Sequence, residues 1–277
     1  MLASDILPPR TVSSRGMKRM LDRLETDSPG NYTFKLIPPS PSRSVRGREQ
    51  AKRSSQGMPG EGRGAGQSQP ITKISAISGS DFPWLPKSAL NSPTGLAFLY
   101  TKTPHTPYQP RLAIAPPFPI TSETETTDRE TLLQSIDPPL HVAIILIRYG
   151  YVAIAIAHDE TIVVSKTDTR WVPNKHRAGG QSANRFKRSR EKWAREFFDK
   201  SARLATERFN AYPHHIDHLI FGGDKHVINQ FIDRATLPNN LSDRILTRRL
   251  NTLRPNRNAL KDATRQTWSS TIYEIAE

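Results

Sequence analysis

The chain has 277 residues, enough for one or two domains with a real core. Only 35% of them are hydrophobic and 23 are proline, so an ordered core must carry long irregular connections. Its 40 Lys and Arg against 26 Asp and Glu leave a net charge of +14, which attracts polyanions; the absence of cysteine excludes disulfides, zinc knuckles and a thiol nucleophile. Asp5 interrupts the short apolar start, so the chain does not open like a secretory signal. The most apolar stretch, 142–157, is broken by Arg148-Tyr149-Gly150-Tyr151 and is too short to cross a bilayer of about 30 Å as a helix. A cytoplasmic home and no membrane partner are expected.

In chain order, Met17, Met20, Leu21 and Leu24 lie on one face of a helix predicted over 16–26. Residues 32–37 read as a strand closed by Pro38-Pro39. From 40 to 70 the apolar residues are only Val45, Ala51, Met58 and Ala65, which predicts a disordered basic insertion. Strands follow at 96–101 and 111–115, then a polar, acidic linker over 121–135. The expected first domain is therefore 1–135, a reduced α+β region with a hole in its middle.

The character changes near Asp137, where a second domain, 136–277, begins. Residues 142–147 and 151–157 are rich in β-branched side chains, and the Tyr149-Gly150 turn joins them as a hairpin. A strand at 161–166, a loop over 169–182 and a long helix over 183–209 come next. A strand at 218–221 leads through Gly222-Gly223 to a helix near 227–234, and helical spacing recurs at 242–250 and 259–276. This order predicts an α/β architecture, a mixed sheet with flanking helices, and no internal repeat.

The chemistry concentrates in 170–208, where twelve Lys or Arg face four Asp or Glu. Phe186, Trp193, Phe197 and Leu204 mark an apolar stripe on the helix, widened by Phe198, Ala202, Ala205 and Phe209. The other faces carry basic side chains, so the helix offers a core face and a polyanion face. Phosphate contacts are assigned to Lys175, His176, Arg177, Arg185, Lys187, Arg188, Arg190, Lys192 and Arg195, because each neutralised phosphate releases a counterion. The plainer reading is a basic helix that is merely solvated. The adjoining glycine loop argues against it.

That loop, with the residues after it, runs His176-Arg177-Ala178-Gly179-Gly180-Gln181-Ser182-Ala183-Asn184-Arg185-Phe186. It resembles the "GRGGQSALRF" loop and helix of the middle domain of eukaryotic and archaeal class-1 peptide chain release factors. The hairpin at 142–157 is similar to that domain's "FGFIVMDGNG" entry, and Leu219-Ile220-Phe221-Gly222-Gly223 to its "LVLAGS" strand. Upstream, 17–39 resembles the opening helix and "ISLIIPP" strand of the family's N-terminal domain, and Asn91-Ser92-Pro93-Thr94-Gly95-Leu96 its "PPNGL". A decoy, Gly64-Ala65-Gly66-Gln67-Ser68, has neither preceding strands nor a following helix.

Departures from the family pattern narrow the resemblance. Nothing matches the codon-reading NIKS or YxCxxxF motifs, and no stretch resembles the domain that docks a partner GTPase. The pattern is more similar to the Vms-like release factors of ribosome quality control, although some of those vary the motif while this chain keeps Gly-Gly-Gln. The resemblance implies a release-factor middle-domain fold and stop-codon-independent release of nascent peptide by hydrolysis of peptidyl-tRNA. The implied partners are the large ribosomal subunit, its rRNA and the peptidyl-tRNA. It makes Gly179, Gly180 and Gln181 catalytic, with the Gln181 backbone N–H stabilising developing oxygen charge and its side chain helping to position water. Glycine suits a close approach to the ester because it has no Cβ and tolerates φ > 0; losing one oxyanion donor costs about 3 kcal/mol. Ser182 reads as a helix cap rather than a nucleophile.

Two rival functions use the same residues: an endonuclease cutting near the CCA end of the tRNA, or a non-catalytic ribosome or RNA binder. No cofactor is expected. His214, His215 and His218 lack the spacing of a zinc site and read as surface or strand-edge residues. Gly222-Gly223-Asp224-Lys225-His226 lacks GxxxxGK[ST] and reads as a turn. Trp171 and Tyr212 suit core packing better than base stacking.

Overall fold

The computed structural model describes residues 7–27, 32–39, 82, 84–101, 110–170, 181–235, 237–238 and 241–275, without side chains at 27, 101, 110, 111, 181–184, 186 and 187. The insertion expected at 40–70, with its Gly64-to-Ser68 decoy, lies outside the described residues, as does most of the loop expected at 169–182. The chain divides into two units, one of residues 1–10, 23–136 and 271–277, the other of 11–22 and 137–270. Against a simple split into 1–135 and 136–277, segments 11–22 and 271–277 each join the other unit.

The first unit is built on a six-stranded sheet ordered β1-β11-β4-β3-β2-β5. Its strands are β1 (Arg10–Val12), β2 (Tyr32–Ile37), β3 (Leu96–Thr101), β4 (Pro110–Ala115), β5 (Thr124–Thr126) and β11 (Ser270–Glu274). Helix α1 (Ser14–Asp27), whose residues 14–22 belong to the second unit, precedes β2 in the chain, and a single turn, α2 (Lys87–Leu90), precedes β3. Ile37, Trp84, Leu85, Ala89, Leu96, Phe98 and Ala113 form one core cluster, with Phe82 stacked on Phe98 at 4.4 Å. Gly95 has φ +82°, and a Cβ there would lie 2.3 Å from the Ile37 carbonyl oxygen, so only glycine fits.

The acidic stretch 121–135 is ordered rather than a linker, which corrects the sequence reading. Thr124 to Thr126 pairs antiparallel with β2, placing Glu125 opposite Lys35. Helix α3 (Arg129–Ile136) follows and buries Leu132, Leu133 and Ile136. Asp128 starts that helix: Thr131 donates to its Oδ2 from the backbone at 2.8 Å and from the hydroxyl at 2.6 Å. The same two bonds hold its carboxyl below the usual carboxylate range.

The second unit holds a five-stranded sheet ordered β10-β9-β6-β7-β8. The strands are β6 (His141–Arg148), β7 (Tyr151–His158), β8 (Thr161–Thr169), β9 (His218–Gly223) and β10 (Ile245–Leu250). β6, β9 and β10 run parallel, and β7 and β8 follow β6 as antiparallel hairpins. β6 and β7 are unbroken apolar runs because both of their faces are covered. Helices α4 (Gln181–Asn210) and α5 (Lys225–Ile232) cover one face, α6 (Arg257–Thr267) the other. Ala143, Ile145, Ile147, Val152, Ile154 and Ile156 meet Phe197, Phe198 and Phe209 of α4 and Phe231 of α5. Each fully buried Phe stabilises the unit by roughly 2–3 kcal/mol.

Two predicted helices are strands, wholly or in part. Residues 242–250 form a short 3-10 turn, Ser242–Arg244, and then β10. Leu246 and Leu250 sit four apart, as on a helix, but they share a strand face with Arg248. Its Nη1 donates to the Ser269 carbonyl at 3.0 Å and its Nη2 to that of Thr267, so the arginine completes the C-terminal end of α6. The helix predicted over 259–276 stops at Thr267, and Thr271 to Glu274 pair with β4 of the first unit's sheet.

Candidate functional site

Three parallel strands end on one side of the second sheet, at Arg148, Gly223 and Leu250. The antiparallel β7 starts there, and β8 finishes there. This rim therefore collects the Tyr149-Gly150 turn, Arg170, the Asp224 cap of α5 and the 251–256 connection. The Arg170 N–H donates to the Gly150 carbonyl at 2.9 Å, so the chain leaves the sheet for residues 171–180 at the hairpin turn. Gly223 takes φ +117° because a Cβ would lie 2.2 Å from the Ile147 carbonyl oxygen. Asp224 then accepts from the His226 and Val227 N–H groups at 2.9 and 3.1 Å, so Gly222-Gly223-Asp224 is a strand end and helix cap.

Helix α4 returns across this rim. Its 30 residues give a rod about 45 Å long. Arg190 lies over the Tyr149 ring, 5.0 Å from its centroid, and Ala194 is the first α4 residue in the described core. Tyr149 Oη donates to Gln230 Oε1 at 2.9 Å, Gln230 Nε2 meets His226 Nε2 at 2.6 Å, and the Tyr149 ring also packs on Phe198. Two ion pairs tie the same helix to the edge strand and its end: Lys200 to Asp168 at 2.7 Å, and Arg170 to Glu196. These contacts fix where α4 points. The sequence gives a weak signal for them, two tyrosines flanking the glycine of a hairpin turn.

Of the residues singled out from sequence, Gly179, Gly180, Lys175, His176 and Arg177 lie outside the described residues. Gln181 is the first residue of α4, and Lys187 lies within it. Arg185, Arg188, Lys192 and Arg195 are exposed along it, Arg195 donating from Nε to the Glu191 carbonyl at 3.4 Å. Arg190 is half-buried against Tyr149. Trp193 and Leu204 of the predicted stripe are half-buried, whereas Phe197, Phe198, Ala202, Ala205 and Phe209 are buried.

His141, His158, His214, His215 and His218 lie at the opposite end of the sheet. His141 stacks on His158 at 4.1 Å and on His214 at 5.3 Å, with Tyr212 at 5.6 Å. Parallel rings do not aim their nitrogens at a common point, and among the described residues no group of three His, Asp or Glu could hold a metal. Burial, then the neighbouring His158 and His214, push the His141 pKa down; burial does the same to His218. His215 bonds Arg244.

Among the described residues no helix is long and apolar enough to cross a membrane. Residues 140–273 match the family model described as the Actinobacteria/chloroflexi VLRF1 release factor. The chain is similar to peptide chain release factor subunit 1 of Pyrobaculum aerophilum, 32% identical over 137 residues that make up 48% of this chain and 35% of that protein. It is also similar to the same subunit of Methanopyrus kandleri, 40% identical over 76 residues, 27% of this chain and 18% of that one. These curated relatives are thus matched over about a third of their length or less. Among solved structures it is similar to the archaeal translation termination factor aRF1, at 17% identity and TM-score 0.36 over 93% of this chain and 73% of that one. It is likewise similar to the Vms1 mitochondrial localization core, at 16% identity and TM-score 0.37 over 62% of this chain and 74% of that one. The match over 140–273, with the similarity to the archaeal subunits, makes the second unit a release-factor-like domain.

Proposed function

We propose that this chain frees nascent peptides without reading a stop codon, hydrolysing the peptidyl-tRNA ester in the large-subunit active site during ribosome rescue or quality control. The observation that carries the reading is the place of Gly179-Gly180-Gln181 in the sequence, at the head of the most basic helix of a release-factor-like domain. Water attacks the ester carbonyl, negative charge gathers on oxygen, and the tRNA 3′ oxygen leaves with a proton. Gln181 opens α4, and N–H groups in a first helical turn have no acceptor within the helix. Its N–H is thus free of the helix ladder and suited to the developing charge, and the helix dipole favours the same charge. Gly179 and Gly180 let that group approach the ester. Arg185, Arg188, Lys192 and Arg195 supply the phosphate-facing charge, and a cytoplasmic setting follows from the substrate.

The test is release of labelled peptide from peptidyl-tRNA on isolated large subunits, with the tRNA end resolved on a gel. Wild type yields free peptide and intact tRNA. Gly180→Ala lowers the rate by about 10²-fold or more, the scale of losing a preorganised donor; Gln181→Ala, which keeps the backbone N–H, loses less. Equal rates in the two variants would overturn this account of the loop. A tRNA shortened at its 3′ end would replace hydrolysis with endonuclease cleavage.

A further inference from the structure

The connection between β10 and α6 is held at both ends and exposed at its tip. Arg148 Nε donates to the Thr252 carbonyl at 3.1 Å, and Thr252 is buried. Asn251 is clasped by Gln266, whose Oε1 accepts the Asn251 N–H at 3.1 Å and whose Nε2 donates to the Asn251 carbonyl at 3.3 Å. Pro255 is buried, and Asn256 Oδ1 accepts the Ala259 N–H at 2.8 Å, capping α6. Between these anchors Leu253 is 83% exposed, more than any other large hydrophobic side chain among the described residues. Arg254 is exposed beside it, with its guanidinium 4.7 Å from the Tyr151 ring centroid, and Arg257 is exposed at the start of α6. Among the described residues neither arginine has a carboxylate partner.

A leucine in water on a flexible loop needs no explanation. A leucine fixed in water by four hydrogen bonds, between arginines without acidic partners, has the makeup of a contact surface. Positive charge without acidic partners selects a phosphate backbone, and guanidinium planes match phosphate geometry better than lysine does. An adjoining apolar tip suits an exposed base or ribose face. Residues 251–257 also leave the sheet on the rim from which the chain departs at Arg170.

We propose that Leu253, Arg254 and Arg257 form a second RNA contact of the release-factor-like domain, separate from helix α4 and directed at folded RNA. The proposal rests on the RNA-directed reading above, but not on the hydrolytic step. Arg254 and Arg257 engage phosphates, and Leu253 packs on an unpaired nucleotide. Ribosomal RNA or tRNA supplies the same chemistry.

The experiment titrates the full chain onto isolated large subunits and onto a short RNA hairpin across a salt series, with peptide release measured in parallel. Arg254→Ala/Arg257→Ala should bind roughly ten- to thirty-fold more weakly near 0.15 M salt and lower the salt slope by about 1.5–2. Arg254→Lys/Arg257→Lys should keep most of the slope, and Leu253→Ser should weaken binding with the slope unchanged. All three positions are exposed, so an unaltered urea midpoint shows the fold intact. Wild-type affinity and slope in the double alanine variant would overturn the proposal even if the wild type releases peptide. Loss of binding in that variant from a wild type without release activity would uphold this contact while the hydrolase reading fails.

Discussion

The two ends of the five-stranded sheet gather different side chains. The end where β6, β9 and β10 finish carries Arg148, Arg170, Arg190, Arg254 and Arg257. The other end carries His141, His158, His214, His215 and His218, with Tyr212, Asp159 and Asp217 among them. At the first end Arg190 and Arg254 lie over tyrosine rings, Arg257 is exposed, Arg148 bonds the Thr252 carbonyl and Arg170 pairs with Glu196. At the second, His141 stacks on His158 and His214, and burial lowers the pKa of His141 and of His218. A polyanion in physiological salt is drawn to the exposed arginines of the first end, since surface charges further than about 8 Å are screened; at the second end Arg244 is engaged by His215 and the Ile216 carbonyl. It is at this end that the chain departs, at Arg170, for residues 171–180.

The largest expected effect separating the ends is at Tyr149. Its ring receives Arg190, packs on Phe198 and reaches Gln230. Tyr149→Ala should cost about 2–3 kcal/mol in urea unfolding, less than a fully buried aromatic because Tyr149 is half-buried. Tyr149→Phe keeps the ring and should cost about 1 kcal/mol, the worth of the hydrogen bond. His214→Ala, at the opposite end and exposed, should change stability by about 0.5 kcal/mol or less. If His214→Ala cost as much as Tyr149→Ala, the idea that the arginine end is the rigid mount for α4 would fail.

Smaller, and opposite in character, is the pH response of the histidine end. His141 and His218 have pKa values below the free-histidine value of 6.5, both from burial, and His141 also from His158 and His214. The unfolded chain therefore binds more protons than the folded one between each depressed pKa and 6.5. Their contribution is fully present above 6.5 and is lost as the pH falls through the folded values. Asp137 acts the other way. Burial raises its pKa despite the hydrogen bond from Ser14 and the charge of Lys18, so it gains a proton in the folded state first and offsets part of the loss. The melting temperature should fall between pH 7 and 5, and His218→Asn should flatten the fall. A wild-type profile that is flat or rises on acidification would mean the stack tolerates charge.

How far the sequence reveals this arrangement depends on whether a signal is local. The β6–β7 hairpin, the 32–37 strand and helix α4 are legible because each carries its own periodicity and turn residues. The Asp128 cap and the Leu132, Leu133, Ile136 spacing of α3 are also local, but the surrounding run of Thr and Glu hides them. β10 could not be read, because its inward face contains an arginine whose Nη groups reach the Thr267 and Ser269 carbonyls at the end of α6 and just past it. β11 could not be read either, since its partner, β4, lies more than 150 residues earlier. The Gly-Gly-Gln motif stands out as a string. The tyrosine and ion-pair contacts that aim its helix arise only when β6, β8 and α5 come together at one rim.

The smallest effect tests the turn that closes the histidine end. His158 pairs with Thr161, so Asp159 and Glu160 alone make the β7–β8 turn, with φ of 46° and 63°. A two-residue hairpin with both central residues at positive φ favours Asn-Gly, and a non-glycine residue there costs roughly 1 kcal/mol or more. Replacing Asp159-Glu160 by Asn-Gly relieves that cost, while glycine gives back part of it through a freer unfolded chain. The contact between His158 Nε2 and the Asp159 carboxylate, 3.6 Å long and exposed, contributes little. The net expectation is a gain of about 0.5–1 kcal/mol in urea unfolding, with RNA affinity unchanged because the turn lies at the opposite end of the sheet from Arg190, Arg254 and Arg257. One Glu160 carboxylate oxygen is buried without a hydrogen-bond partner, which adds to the cost of the native turn. A loss of stability instead would mean that packing of the Asp159 and Glu160 side chains holds the turn more strongly than its backbone strain opens it, and would give the histidine end a structural anchor beyond its stacked rings.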